Sequence, residues 1–209
     1  MTRNLLAIAA TVAALVLPAL AQAQDLARGE EIYGLCTQCH GTAGAGDPLS
    51  LAPSIAGKSQ WYLERQLHNF KQGLRGTHPD DLGGLRMYPM SRSLRSDEDI
   101  AAVAAYVASL PVPDLEPTIE GDAAKGQASY ATCQACHGPE GAGNEALNAP
   151  RLTHTSDWYL VQALRKYQAG ILGGNPGNQN AVMMRGMALS LADDQAIFDV
   201  VAYIRTLEK

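Results

Sequence analysis

The sequence carries no excess of positive charge: 16 Lys and Arg stand against 21 Asp and Glu, a formal charge of −5 over 209 residues. No run of like charges relieves that balance, so nucleic acid is excluded as a partner and the charges read as a solvated surface. Only one long hydrophobic run is present. Leu5 to Leu17 follows Arg3, is closed by Pro18, and leads to the small-residue pattern Ala21-Gln22-Ala23. It falls short of the roughly 20 residues a membrane span needs, so residues 1–23 read as a cleavable export signal. Loss of Arg3 with that segment leaves 15 basic residues against 21 acidic ones, a formal −6. The mature chain from Gln24 is then expected to be soluble or peripheral at a membrane surface, in the periplasm.

Period-2 alternation is almost missing, which excludes a sheet-based fold. Histidine is also scarce, with five in all. Four cysteines in an exported chain would ordinarily suggest two disulfides. Their spacing points elsewhere. Cys36-Thr37-Gln38-Cys39-His40-Gly41 recurs 97 residues later as Cys133-Gln134-Ala135-Cys136-His137-Gly138. The same offset relates Gly29 to Gly126, Tyr33 to Tyr130, Pro53 to Pro150, Trp61-Tyr62-Leu63 to Trp158-Tyr159-Leu160, Met87 to Met184, Leu94 to Leu191 and Tyr106 to Tyr203. No insertion or deletion is needed, so the chain is one module written twice.

Pro111, Pro113 and Pro117 forbid a helix between the copies and favour a semi-rigid connector. The expected organisation is a signal at 1–23, a first domain at 24–110, a proline-rich linker at 111–119 and a second domain at 120–209. Each copy reads as helical. Asp25 to Gln38 and Asp122 to Gln134 look like first helices running into the cysteine motifs. Trp61 to Phe70 and Trp158 to Tyr167 have helical apolar spacing, with Gly73 and Gly170 as stops. The last helix opens on Ser96 with an Ile100, Val103, Val107, Leu110 stripe, repeated after Asp193 or Asp194 as Ile197, Val200, Ile204 and Leu207. The class is therefore all-α with long loops. Loops of that length in domains this small require something large packed beneath them.

In Cys-x-x-Cys-His the two thiols sit one helical turn apart, spaced to form thioether bonds to the vinyl groups of one porphyrin, and the adjacent histidine reaches its iron. A four-cysteine zinc site would bring its pairs within about 15 to 20 residues and would leave both histidines unexplained. A thioredoxin-like pair needs a βαβ context that is missing. Local disulfides explain neither His40 and His137 nor the repeat. The motifs thus predict two covalent haem c groups, on Cys36, Cys39 and His40 and on Cys133, Cys136 and His137.

A sixth iron ligand should occur in both copies. His68, His78 and His154 fail, standing opposite Arg165, Asn175 and Gly57. Two methionine pairs pass: Met87 with Met184, and Met90 with Met187. They cluster in Gly- and Pro-containing segments, read as loops, just before the last helix. Met183 aligns with Arg86.

The duplicated Cys-x-x-Cys-His, Pro53-Ser54-Ile55-Ala56-Gly57, Tyr62-Leu63-Glu64-Arg65-Gln66-Leu67 and the methionine segment leading to Leu94 and Ser96-Asp97-Glu98-Asp99-Ile100 resemble the dihaem cytochrome c4 family, two class I cytochrome c domains in tandem. The likeness spans essentially the whole mature chain. It implies that the axial methionines are Met87 and Met184, seven residues before Leu94 and Leu191. It implies that the carbonyls of Pro53 and Pro150 accept the Nδ1 hydrogens of His40 and His137, and that the halves pack about a pseudo-twofold axis. His154 stands where that family favours a small residue. The resemblance further implies an electron carrier rather than an enzyme, taking electrons from a quinol-oxidising complex or a dehydrogenase and passing them to a terminal oxidase. The competing reading is the electron-accepting subunit of a thiosulfate, sulfite or alcohol dehydrogenase.

Overall fold

The computed structural model describes residues 25–208, and the signal expected at 1–23 lies outside them. The first half contains helix α1 over residues 25–33, the short α2 (Thr37–His40), α3 (Gln60–Lys71), α4 (Leu82–Arg92) and α5 (Asp97–Ser109). The second half contains α6 (Ala123–His137), α7 (Asp157–Gln168), α8 (Gln179–Ala188) and α9 (Asp194–Thr206). Among the described residues the only extended pairings are the isolated bridges Asp47 with Ala52 and Asn144 with Ala149, which match under the 97-residue offset. No described helix is long and apolar enough to cross a membrane.

Two expectations need correction. The helix predicted from Asp25 to Gln38 breaks at Gly34, and α2 begins only at Thr37, whereas α6 runs unbroken into His137. The position matching Gly34 is Ala131. Glycine loses more backbone freedom in a helix than alanine, so the same segment breaks in one copy and continues in the other. The methionine segments, expected as loops, are the helices α4 and α8. Their signal was the N-cap: the side chains of Asp81 and Asn178, related by the repeat, accept the N–H groups of Gly84 at 3.1 Å and Ala181 at 3.3 Å.

Each half packs its first helix across its last. The crossing is so close that a Cβ on Gly29 would lie 2.2 Å from the Ala102 carbonyl oxygen, and one on Gly126 1.9 Å from that of Asp199. Only a hydrogen fits there. Ile100, Val103 and Val107 of α5 pack with Tyr33, Leu63 and Leu94, while Ile197, Val200 and Ile204 of α9 pack with Tyr130, Leu160 and Leu191. Tyr33 and Tyr130 donate to the carbonyls of Gly41 at 2.6 Å and Gly138 at 2.7 Å, tying each core to the residue after its motif histidine.

The segment between α5 and α6 lies clamped on the second half. Asp157, almost fully buried, accepts from the Thr118 amide at 2.7 Å and hydroxyl at 2.5 Å, the Ile119 amide at 3.2 Å and its neighbour Trp158 at 2.7 Å. Arg205 donates to the Leu115 carbonyl at 2.7 Å. Burial opposes the charge on Asp157, but the Thr118 hydroxyl and the amide donors outweigh it and hold the carboxyl below its ordinary value.

Two outcomes are expected. Gly126→Ala should destabilise the haem-loaded protein by about 3 kcal/mol in a denaturant titration, because the methyl group meets backbone rather than a movable side chain. A cost under about 0.5 kcal/mol would show that the crossing tolerates separation. Asp157→Asn should cost about 1 to 3 kcal/mol and speed proteolysis near Thr118. A carboxyl whose folded pKa is depressed stabilises above its unfolded value and ceases to do so as pH falls through the folded one. Wild-type stability should therefore drop below about pH 4 by a step that Asp157→Asn lacks.

Candidate functional site

Both cysteine motifs open on one cavity of about 660 Å³ that runs through the two halves. Its walls include Cys36, Cys39, His40, Pro53, Met87 and Met90 from the first half, and Cys133, Cys136, His137, Pro150, Met184 and Met187 from the second. Every candidate ligand named from the sequence thus faces a common space. Met183, opposite Arg86 in the repeat, lines it as well but is 59% exposed.

His40 and His137 are buried, and their Nδ1 atoms lie 2.9 Å and 2.8 Å from the carbonyls of Pro53 and Pro150. Donation from Nδ1 fixes the tautomer and ring plane and leaves Nε2 as the lone-pair nitrogen. Burial pushes both imidazoles below their ordinary pKa, more than the proline carbonyls raise them, so each stays neutral, the form that binds iron. None of the four cysteines is in a disulfide, so all four are available for thioether bonds.

Met87 and Met90, like Met184 and Met187, are three residues apart on a helix and share a face. Met87 and Met184 are half-buried, while Met90 and Met187 are 40% and 38% exposed. Of the aromatic residues next to α3 and α7 starts, Tyr62 and Tyr159 line the cavity, whereas Trp61 and Trp158 stack edge-on against them with centroids 5.9 Å apart.

The halves meet about a pseudo-twofold axis, visible because repeat-equivalent residues touch each other. Lys58 donates to the hydroxyl of Thr155, its own counterpart, and a Cβ on Gly57 would lie 3.7 Å from that of its counterpart His154. His154 is not a free surface residue. It keeps the left-handed backbone of Gly57, with φ of 55° against 78°, and its carbonyl accepts from Ser54 across the seam at 3.2 Å. A small residue suits that φ best, which explains the expectation that His154 departs from. Ser54 and Ser156 exchange reciprocal amide-to-hydroxyl bonds at 3.0 and 3.1 Å. Lys166 reaches from α7 to Asp81, the cap of α4, at 2.7 Å. Arg75 donates to Tyr159 at 2.6 Å.

Sequence reasoning overlooked these seam residues. The signal was present as charge that breaks the repeat: Lys58 opposite Thr155, Arg75 opposite Leu172, and Asn69 opposite Lys166. Within an acidic protein the cavity wall carries six basic side chains, Lys58, Arg65, Arg75, Arg86, Arg151 and Lys166, against the single carboxylate Asp81. The Nε of Arg75 is buried without a partner. An excess of cations along a partly enclosed wall favours anions inside it. Each haem brings a pair of propionate carboxylates, and the apolar remainder of the wall suits its porphyrin face. The residues present therefore fit one haem per half, which the motif histidine and the methionine helix would hold.

The cytochrome c family model matches residues 26–111 and again 123–208. The chain is 32% identical over 206 residues to the thiosulfate dehydrogenase electron acceptor of Stutzerimonas stutzeri strain A1501, covering 89% of this chain and 88% of that one. It is 30% identical over 201 residues to cytochrome c4 of Thiocapsa roseopersicina, covering 90% and 95%. The crystal structure of reduced recombinant cytochrome c4 from Pseudomonas stutzeri matches with a TM-score of 0.67 at 26% identity, over 86% of this chain and 97% of that one. Two tandem helical cytochrome c domains, each with its own covalently bound haem c, place the chain in the cytochrome c family as a dihaem electron-transfer protein of the cytochrome c4 type.

Proposed function

We propose that this protein is a periplasmic shuttle that takes single electrons from a quinol-oxidising complex or a dehydrogenase and delivers them to a terminal oxidase, with no catalysis of its own. The observation that carries the reading is the pair of proline-oriented histidines, each facing a methionine helix across the same cavity. Cys36 and Cys39 would tether the first haem and Cys133 and Cys136 the second. His40 and Met87, and His137 and Met184, would close the two faces of each iron. The lower exposure of Met87 and Met184 supports them over Met90 and Met187.

A haem with imidazole and thioether both bound exchanges an electron with little rearrangement and offers no vacant position to oxygen or peroxide. The rest is done by this chain. The proline carbonyls hold the imidazole planes, the apolar cores of the two halves exclude water, and the clamped linker and seam bonds keep the two halves in one arrangement. The Arg3-to-Ala23 segment supports export and hence the periplasmic location.

A second reading is supported by one observation, the 32% identity to a thiosulfate dehydrogenase electron acceptor. In that reading the same two haems receive electrons from a dedicated dehydrogenase. Pull-down from native membranes and periplasm, with the donor and acceptor identified, separates the two.

Met87→Ala and Met184→Ala should each remove half of the thioether-to-ferric-iron charge-transfer absorption and open one haem to carbon monoxide in the reduced protein. Met90→Ala and Met187→Ala should retain the full band and cost under about 2 kcal/mol, since these side chains are partly exposed. Loss of the band in the second pair with retention in the first would reverse the ligand assignment. Rapid stoichiometric binding of carbon monoxide by the unaltered protein would contradict the carrier reading.

A further inference from the structure

A helix leaves its last four carbonyls without partners of its own. At the carboxyl ends of α4 and α8 a neighbouring helix meets such carbonyls, and it does so from the same position in both halves. Lys71, the last residue of α3, donates from Nζ to the Leu94 carbonyl at 2.9 Å. Gln168, the last residue of α7, donates from Nε2 to the Leu191 carbonyl at 2.9 Å and to that of Ala188, the last residue of α8, at 3.0 Å. Lys71 and Gln168 are related by the 97-residue offset, as are Leu94 and Leu191. One donor is an ammonium and the other a neutral amide. What the two copies share is therefore a hydrogen bond to that carbonyl, not a charge.

The amino ends of the methionine helices rest on the same neighbours. Gly76 and Gly173, in the turns that follow α3 and α7, abut the first turns of α4 and α8. A Cβ on them would lie 2.5 Å from the Gly84 carbonyl oxygen and 2.4 Å from that of Ala181. Each methionine helix is thus held at both ends by α3 or α7 with the turn after it, and Met87 and Met184 lie between the two fixed points. Neither Lys71 nor Gln168 lines the cavity, whereas Leu94 and Leu191 do, with their side chains buried in the cores. A bond to the carbonyls of those leucines limits how far the end of each methionine helix can move from the cavity.

Thioether sulfur is a weak donor, so its hold on ferric iron depends on a protein frame that keeps it within reach. We propose that Lys71 and Gln168 are positioning residues that latch the carboxyl ends of the methionine helices and so keep each thioether on its ferric iron. The inference rests on the reading that a methionine of α4 and one of α8 bind the two irons, and it holds for either member of each pair. It assigns the same role to both halves.

The test is the rate of methionine release from the ferric dihaem protein, read as loss of the thioether-to-ferric-iron absorption while imidazole binds. At saturating imidazole the rate reports release alone. Lys71→Leu and Gln168→Leu, which stay apolar and bulky but lack the donor, should each speed release about tenfold for one half of the amplitude and leave the other half unchanged. Lys71→Gln should release as slowly as the unaltered protein, because glutamine makes this bond in the second half. Gly126→Ala, which destabilises the α6–α9 crossing without touching α7 or α8, should leave release unchanged. The two latches are separate, so either leucine variant suffices should the other fail to load haem. Unchanged release in a folded leucine variant would overturn the proposal, as would fast release from Lys71→Gln or equal acceleration by Gly126→Ala. Absence of the thioether absorption from the unaltered protein would overturn the methionine reading itself, and this proposal with it.

Discussion

A helical half of this size has one thin layer of side chains between its terminal helices, and the far side of that layer faces a cavity. The close crossing at Gly29 and Gly126 lets α5 and α9 lie almost against the opposing backbone, which seals one side of each core. Leu63, Leu94, Leu160 and Leu191 line both the core and the cavity, so what fills the cavity completes the core. Small domains need such a staple, and here it is the redox centre itself. Folding and function consequently depend on the same contacts: the histidine that would bind iron is oriented by a proline carbonyl, and the residue after it is anchored by Tyr33 or Tyr130.

Duplication then supplies a second centre, but a useful pair requires the two to communicate. The seam provides a fixed arrangement. Equivalent residues meet on the axis at Gly57 with His154 and at Lys58 with Thr155, and off-axis bonds at Ser54, Arg75 and Lys166 surround them. The bonds among them are polar and buried or partly buried, so each lost partner leaves an unsatisfied group, which favours a single docking geometry over a sliding one. A shared cavity in that arrangement brings the two haem sites together.

The sequence revealed the repeat, the class, the helix pattern and the covalent motifs because each has a signal confined to a few neighbouring residues. Thiol spacing, the apolar stripe of α5 and the Ser96 cap are all local. The break after α1 was legible too, in Gly34 against Ala131, though an offset comparison that looks for identities passes over it. Helix formation in the methionine segments was obscured by glycine and proline, and the Asp81 and Asn178 caps were the local clue that outweighed them. The seam was hidden for a different reason. Lys58, Arg75 and Lys166 look like ordinary surface charges until the two halves are placed together, since their partners lie 84 to 97 residues away.

The central claim is that two haems, one per half, occupy a common cavity between the cysteine motifs. Diffraction from crystals of the haem-loaded protein at the iron absorption edge tests it most directly. Two anomalous peaks are predicted, one beside Nε2 of His40 and one beside Nε2 of His137, with the propionate edges of both porphyrins turned to the seam. A single iron peak, or two irons on opposite outer ends of the molecule, would contradict the account.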